Sequence, residues 1–217
     1  EEGAAYIQHE ARRQVAEGAH FLDVNVDEIS YDIEVQKRAM AWLVCAAQAV
    51  SSVPLSVDSS SVDIISAGLS EYDHSAGRPM VNSVALERLE TLDLVKEHDA
   101  RVIVTAAGQE GMPQDHEDRI ANVAAVMNAI EAADIPLRDV YIDCIVFPIS
   151  VSGEYGLHFL NAVKMVRETY GPEVHITGGL SNVSFGLPKR KLINDTFIYL
   201  SIEAGIDAGI MDPIQSK

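Results

Sequence analysis

The chain has 217 residues, of which 47% are hydrophobic, and its 33 Asp and Glu against 16 Lys and Arg give a formal net charge of −17. An acidic excess of this size would repel a phosphate backbone, so we expect no nucleic-acid partner. No apolar run reaches the roughly 18 residues that would suggest a membrane span, and the two isolated cysteines, Cys45 and Cys144, argue against a disulfide framework and predict a reducing, cytoplasmic setting.

Short β-branched runs alternate with longer amphipathic runs along the chain. Each short run is apolar on both alternating faces, as expected for a parallel strand that is covered on both sides. The strand candidates are HFLDVNV (20–26), PLSVDS (54–59), RPMVNSV (78–84), ARVIVTAA (100–107), DVYIDCIV (139–146), EVHITGGL (173–180) and DAGIMDP (207–213). The helix candidates are QHEARRQVAEGAH, EVQKRAMAWLVCAAQAV, SVDIISAGLSEY, LERLETLDLVKEHD, EDRIANVAAVMNAIEAAD, LHFLNAVKMVRETYG and KRKLINDTFIYLSIEAG.

The order of these elements indicates an α/β fold. A helix before the first strand candidate implies one further strand, so the seven candidates become eight, the number in a (β/α)₈ barrel. An open doubly wound sheet tolerates any number of strands and is the alternative. Because no Pro-, Ser- or Gly-rich linker interrupts the alternation, we expect a single domain over residues 1–217.

Polar side chains follow almost every strand candidate, at the end that forms the working face of a barrel. Carboxylates and amides together suit a flat, nitrogen-rich heterocycle, because they supply paired acceptors and donors. Taken singly, an Asp at such a position can instead cap the next helix. A Mg²⁺ or Ca²⁺ site could use three of the carboxylates, but amides are as frequent and no His pair has ligand spacing, so we expect no protein-bound metal. The set comprises Asp23, Asn25, Asp58, Asn82, Gln109, Asp143, Ser181, Asn182 and Asp212.

The stretch ITGGLSNVSFGLPKR (176–190) places a glycine pair and an amide directly behind a strand candidate. Gly178 and Gly179 do not extend into a G-x-G-x-x-G or P-loop pattern, and the basic residues come too late to cradle a phosphate. A site that is rich in Asp and Asn, without an evident nucleophile, indicates positioning and hydrogen bonding instead of covalent catalysis.

GGLSNVSFGLP closely resembles the glycine-turn segment of pterin-binding barrels that transfer a methyl group from 5-methyltetrahydrofolate to a corrinoid. FLDVNV, VDSS, MVNS and YIDCIVFP resemble four further signatures of this family in the same order, and the resemblance extends from about Gln8 to Asp212. It implies a dihydropteroate-synthase-like (β/α)₈ TIM barrel that lacks its first strand and last helix in this chain. It also implies a folate substrate, a cobalamin carried by a partner corrinoid protein, and a possible homodimer.

The same resemblance implies roles for individual residues. Gly179 and Ser181 would let the backbone approach the ring closely, and Asn182 would reach N5, the folate atom that releases the methyl group. The residues that would line or hydrogen-bond the pterin ring are Asp23, Asn25, Asp58, Asn82 and Asp143, with Gln109 in a supporting role.

Two related activities are the alternatives. Dihydropteroate synthases carry Arg-Lys where this chain has Asn182-Val183, and a Thr-Arg-Pro loop where it reads DEISYD. The folate domain of cobalamin-dependent methionine synthase has a very similar GG-S-N-V-SF segment, but this chain has no attached homocysteine or cobalamin modules, which favours a stand-alone methyltransferase. The basic cluster 189–191 either contacts the glutamate tail of the folate or is the first turn of a surface helix.

Overall fold

The computed structural model of the protein describes residues 2–215. The strands are β1 (Leu22–Asn25), β2 (Leu55–Asp58), β3 (Met80–Val84), β4 (Arg101–Thr105), β5 (Val140–Asp143) and β6 (His175–Thr177). The α-helices are α1 (Glu2–Ala16), α2 (Ile33–Gln48), α3 (Val62–Ser70), α4 (Thr91–Glu97), α5 (His116–Ala132), α6 (Tyr155–Tyr170) and α7 (Arg190–Ala204). The predicted alternation of strands and helices is therefore present through α7.

The six strands follow one another across one sheet in chain order. The pairs β1–β2, β2–β3 and β5–β6 are parallel, as the β-branched runs joined by helices predict. In β1 the side chains of Leu22 and Val24 are buried while those of Asp23 and Asn25 face solvent. This alternation sends the apolar residues of the strand into the core and its polar residues to the other face.

The first of two compact units comprises residues 2–83 and 90–102. Its core lies where α2 and α3 pack on β2, with Met40, Leu55 and Ile65 fully buried. Asp32 caps the N-terminus of α2, and its carboxylate accepts a hydrogen bond from the Glu34 backbone N–H at 2.9 Å. Such an N-cap satisfies one of the backbone donors that the first helical turn leaves unpaired.

The second unit comprises residues 84–89 and 103–215. Phe159 of α6 is fully buried in its core, as are Ile142 of β5 and Ile176 of β6. Asp115 caps the N-terminus of α5, and its carboxylate accepts a hydrogen bond from the Asp118 N–H at 2.9 Å. Among the described residues, no helix is both long and apolar enough to cross a membrane.

The prediction of a seventh strand at DAGIMDP (207–213) was wrong. This segment runs beside β6 but forms only a single parallel bridge, between Gly179 and Ile210. Its first residue explains the difference, because the Asp207 carboxylate accepts the hydrogen bond of the Ile176 N–H at 2.8 Å. A side chain thus takes the backbone donor that a continuous strand ladder would have used.

Candidate functional site

Three polar side chains lie side by side in register, at the carboxyl ends of β1 and β2 and at the middle of β3. The parallel register pairs Asn25 with Asp58 and Asp58 with Asn82, so all three project from the same face of the sheet. Asn25 Nδ2 donates a hydrogen bond to Asp58 Oδ2 at 2.8 Å. We call Asn25, Asp58 and Asn82 the carboxylate–amide row. It offers acceptors and donors in alternation along one line.

Asp23 stands on the same face, two residues before Asn25. Asn82 Nδ2 donates to Asp23 Oδ1 at 3.3 Å, which joins Asp23 to the carboxylate–amide row. The Asn82 side chain is buried at 9% exposure, whereas Asp23 remains in contact with solvent. The structure thus brings together four of the residues that the sequence singled out.

The carboxyl groups of Asp23 and Asp58 hold protons more tightly than those of ordinary aspartates. Burial, followed by the charge of Asp23, raises the pKa of Asp58 to about 7, and the amide of Asn25 opposes the shift. Burial also raises the pKa of Asp23, against hydrogen bonds that include the one from Asn82. Asp23 is recessed: solvent reaches it, but protein replaces much of the bulk water around it. Near neutral pH, Asp58 is therefore present in both protonation states.

Asp27 belongs to this cluster, although it was not among the predicted site residues. Its carboxylate accepts from Ser59 Oγ at 2.5 Å and from the Ser60 N–H at 2.8 Å. Its own N–H donates to Asn25 Oδ1 at 2.8 Å. These bonds tie the loop after β1 to the loop after β2 and fix the orientation of the Asn25 amide. The sequence signal was its place two residues beyond Asn25, in FLDVNVDE.

Asp143 ends β5 in the second unit, where the register pairs it with Thr177 of β6. Its Oδ1 accepts a hydrogen bond from the Ile145 N–H at 2.7 Å. Burial raises the pKa of Asp143 to about 6, while this hydrogen bond and the positive charge of Arg119 hold the pKa down. The group is thus mostly ionised at neutral pH, with one oxygen already bound by the backbone.

The glycine pair after β6 leads into a short 3₁₀ helix, Leu180–Ser184. A Cβ at Gly179 would lie 2.9 Å from Asn182 Nδ2, and one at Gly178 would lie 3.2 Å from the Phe159 ring. The Asn182 N–H donates to the Gly179 carbonyl at 3.0 Å, and the Asn182 side chain is exposed. The glycines therefore give space to these two side chains, and the turn presents the Asn182 amide three residues beyond the glycine pair that follows β6.

The remaining candidates lie in loops or at a helix start. Gln109 is exposed in the loop between β4 and α5. Asp212 accepts from the Ile214 N–H at 2.9 Å and so stabilises a turn. The Ser181 carbonyl accepts from Arg190 Nη2 at 2.9 Å, and Lys191 pairs with Asp195 at 3.1 Å. Arg190 and Lys191 thus make local contacts around the start of α7.

The donor groups of the site are oxygen and amide groups in hydrogen bonds with each other. Within residues 2–215, no group of three or more His, Cys, Asp or Glu side chains is arranged to hold a metal ion. Cys45 and Cys144 are free thiols.

A protein family described as "Pterin binding enzyme" matches residues 3–212. The chain is 30% identical to methionine synthase of Mycobacterium leprae over 93% of its length, and it spans 17% of that protein. It is 29% identical to methylcorrinoid:tetrahydrofolate methyltransferase of Eubacterium limosum over 98% of its length, and it spans 78% of that protein.

Solved structures with the same fold include two dihydropteroate synthases. The enzyme of Xanthomonas albilineans matches 98% of this chain and 81% of its own, with a TM-score of 0.76 and 20% identity. That of Stenotrophomonas maltophilia matches 100% of this chain and 85% of its own, with a TM-score of 0.78 and 16% identity. This likeness confirms the predicted dihydropteroate-synthase-like α/β fold class.

Proposed function

This chain belongs to the family of pterin-binding enzymes, and we propose that it is a methyltransferase that moves the N5 methyl group of 5-methyltetrahydrofolate to or from the Co(I) corrinoid of a partner protein. The observation that carries the proposal is the carboxylate–amide row with Asp23 beside it. Its ordered acceptors and donors match the edge of a pterin ring, and the relatives near 30% identity include a corrinoid-linked methyltransferase.

The carboxylate–amide row would bind the amino-pyrimidinone edge of the pterin. An ionised carboxylate accepts N–H bonds from such an edge, and amide groups at its flanks can donate to the ring carbonyl or accept from a further N–H. Asp143 would add a second acceptor, because its hydrogen bond to Ile145 uses Oδ1 alone. Binding in this form requires Asp58 to be ionised, so its proton would leave as the ring enters.

Asn182 would act at the reacting atom. As the N5–CH₃ bond breaks, the methyl group leaves for the acceptor and N5 keeps the electron pair, which makes N5 a stronger hydrogen-bond acceptor. An amide N–H from Asn182 would therefore stabilise the transition state more than the bound substrate. The Asn182 side chain does not have to act as an acid, because a proton can reach N5 through water.

The corrinoid, held by the partner protein, would supply the metal centre that accepts or donates the methyl group. The residues of this chain would bind and orient the folate and leave N5 open toward that partner. The free thiols of Cys45 and Cys144 fit the reducing cytoplasm in which we place the protein.

A second candidate is the folate-binding part of a cobalamin-dependent methionine synthase. The observation that favours it is the 30% identity to the Mycobacterium leprae enzyme, of which this chain spans 17%. In both proposals the methyl group moves between N5 of the folate and a corrinoid. They differ in whether the corrinoid is carried on a separate protein or on the same polypeptide, which the sequence of the full-length protein distinguishes.

Dihydropteroate synthase activity has weaker support. The likeness to those enzymes is one of fold, at 16–20% identity. At the turn after β6, this chain presents the neutral, exposed Asn182 followed by the buried Val183. A cationic pair at that place would suit an anionic pyrophosphate substrate, and an amide followed by a buried valine does not.

The decisive experiment follows the Co(I) absorbance of a reduced corrinoid protein after mixing with 5-methyltetrahydrofolate and the full-length enzyme. We expect Asn182→Ala to slow methyl transfer about 100-fold, because one transition-state donor is lost, while folate affinity stays nearly unchanged. Asp143→Ala should instead weaken folate binding about tenfold, since it removes an ionised acceptor.

Asn128→Ala is the matched control, because Asn128 is an exposed amide on α5. It should leave both the rate and the affinity unchanged. A wild-type rate in Asn182→Ala would contradict the assigned role, and no loss of Co(I) signal with folded wild-type enzyme would contradict the proposed function.

A further inference from the structure

Resting on the proposed function, we propose that Arg119 of α5 is a positioning residue that sets the orientation of the Asp143 carboxylate toward the pterin through the peptide group between Cys144 and Ile145. Arg119 is fully buried, with 0% exposure. An arginine is rarely placed so deeply unless its donors are satisfied. The bonds that satisfy these donors converge on the turn that follows β5.

One peptide group links Arg119 to Asp143. Arg119 Nε donates to the Cys144 carbonyl at 2.8 Å. The N–H at the other end of that peptide, on Ile145, donates to Asp143 Oδ1 at 2.7 Å. Because a peptide group is planar and rigid, fixing its oxygen also fixes the direction of its N–H. Arg119 therefore aims the donor that holds Asp143.

The turn needs this support because its backbone is strained. Ile145 has a φ of 58°, which is unfavourable for a β-branched residue. Arg119 Nη2 donates to the Ile145 carbonyl at 3.3 Å, so both carbonyls of the turn are bound by one guanidinium. Strain of this kind persists where the surroundings determine the conformation strongly, and it is common at functional sites.

Two further contacts fix the guanidinium itself. Arg119 Nη1 donates to the Asp115 carbonyl at 2.5 Å, and the guanidinium carbon lies 5.0 Å from the centre of the Phe147 ring. Contacts with the start of its own helix and with the segment after β5 thus hold the guanidinium in place. The positive charge of Arg119 also helps to hold the pKa of Asp143 down against burial, which keeps the carboxylate ionised for an N–H donor.

Arg167 of α6 provides a matched control within the same unit. Its guanidinium also binds several backbone carbonyls, those of Gly171, Val174 and Gly205, at 2.7–3.1 Å. Gly171 and Val174 lie before β6 begins and Gly205 follows α7, whereas Asp143 stands in register with Thr177, the last residue of β6. Loss of Arg167 should therefore cost stability without disturbing Asp143.

The test measures the dissociation constant of methyltetrahydrofolate by calorimetry on full-length, folded variants. We expect Arg119→Met to weaken folate binding about tenfold, since the ionised acceptor loses its alignment. The affinity of Arg119→Lys should lie between those of the wild type and Arg119→Met, because one ammonium cannot bind both carbonyls. The methyl-transfer rate at saturating folate should stay near that of the wild type. Arg167→Met should lower the melting temperature and leave the dissociation constant within about twofold.

A double-mutant cycle separates positioning from general damage. In an Asp143→Ala background there is no carboxylate to position, so adding Arg119→Met should change the affinity less than about twofold. Wild-type affinity in Arg119→Met, an additive loss in the double variant, or an equal loss in Arg167→Met would each overturn the inference. If Arg119→Met does not fold, Arg119→Lys carries the same comparison. Absence of folate binding by the wild type would contradict the proposed function itself.

Discussion

Asp58 receives opposing influences from its neighbours at the end of β2. Burial and the charges of Asp23 and Asp27 favour its protonated form, while the Asn25 amide favours the carboxylate. The result is a pKa of about 7 in the folded protein, against 3.8 for an ordinary aspartate. Since the folded state holds this proton more tightly than the unfolded state, the proton stabilises the fold, and this stabilisation is complete only at low pH.

Asp58→Asn should therefore increase stability at alkaline pH. The stabilisation from the Asp58 proton is fully present below about pH 3.8 and is lost as the pH rises through about 7. One pKa unit corresponds to about 1.4 kcal/mol, and partial solvent access reduces the effect. We expect a gain of about 1–2 kcal/mol in unfolding free energy at pH 8.5 that shrinks toward pH 5. Urea unfolding across this range measures it, with the exposed Glu131→Gln as a control. A gain independent of pH would contradict the assignment.

Residues that the structure brings together because of their position along a strand could be predicted from the sequence, whereas a residue placed by helix packing could not. Asp23, Asn25, Asp58 and Asn82 came from strand ends, because parallel strands bring their carboxyl ends to one edge of a sheet. Arg119 was missed, since an arginine inside an amphipathic helix usually lies at the surface. Only the fold reveals that its guanidinium meets the turn after β5.

The turn after β6 depends on the absence of a side chain at Gly179. An added Cβ would lie 2.9 Å from Asn182 Nδ2, closer than side-chain packing allows, so the amide must rotate away. We expect Gly179→Ala to slow the proposed methyl transfer about tenfold or more, because it would displace the amide that we propose to act at N5. Stability should stay near native because the displaced group is exposed. Single-turnover kinetics measure the rate. The double variant Gly179→Ala/Asn182→Ala should transfer the methyl group no more slowly than Asn182→Ala alone. An additive loss of rate would show that Gly179 does not act by positioning Asn182.

Gly68 shows a conflict between helix propensity and packing in α3. In a helix interior, Gly→Ala usually stabilises by roughly 0.5–1 kcal/mol. Here the added Cβ would lie 2.8 Å from both Met40 Cγ and Val57 Cγ1, and Val57 is a fully buried strand residue that has little room to move. We therefore expect Gly68→Ala to destabilise by about 1–2 kcal/mol, as measured by urea unfolding. A smaller cost of Gly68→Ala in a Met40→Ala background than in the wild type would confirm the clash with Met40, and a stabilising Gly68→Ala would refute it.

The strands were predictable where apolar patterning alone determines them. The runs that form β1 to β6 are rich in β-branched residues, and most of their buried residues are apolar. The run DAGIMDP has an equally short apolar centre, but its Asp207 carboxylate binds the Ile176 N–H. Its Gly209 also lies close to Leu180, with 2.8 Å between an added Cβ and Leu180 Cδ1. Such side-chain competition for a backbone donor depends on which strand lies alongside, which sequence patterning does not contain.

The whole chain carries a net negative charge that follows from its composition, and the ion pairs formed on folding do not remove it. Its 33 acidic and 16 basic residues leave an excess of 17 negative charges. Several cations are already paired with nearby carboxylates, as in the pairs Arg13–Glu10, Arg78–Asp99 and Lys191–Asp195. Each exposed pair contributes little, so the net repulsion among the remaining carboxylates acts against the compact state.

Screening that repulsion should stabilise the protein. Raising the NaCl concentration from 0.01 to 0.1 M shortens the Debye length from about 30 to about 10 Å, which weakens long-range repulsion between surface carboxylates more than contact pairs. At pH 7.5 we expect the melting temperature to rise by a few degrees, as followed by circular dichroism. Close to the sequence pI of 4.6 the net charge vanishes, so the same salt step should have little effect. A fall in melting temperature at pH 7.5 would mean that favourable ion pairs outweigh the net repulsion, because salt would then be screening attraction.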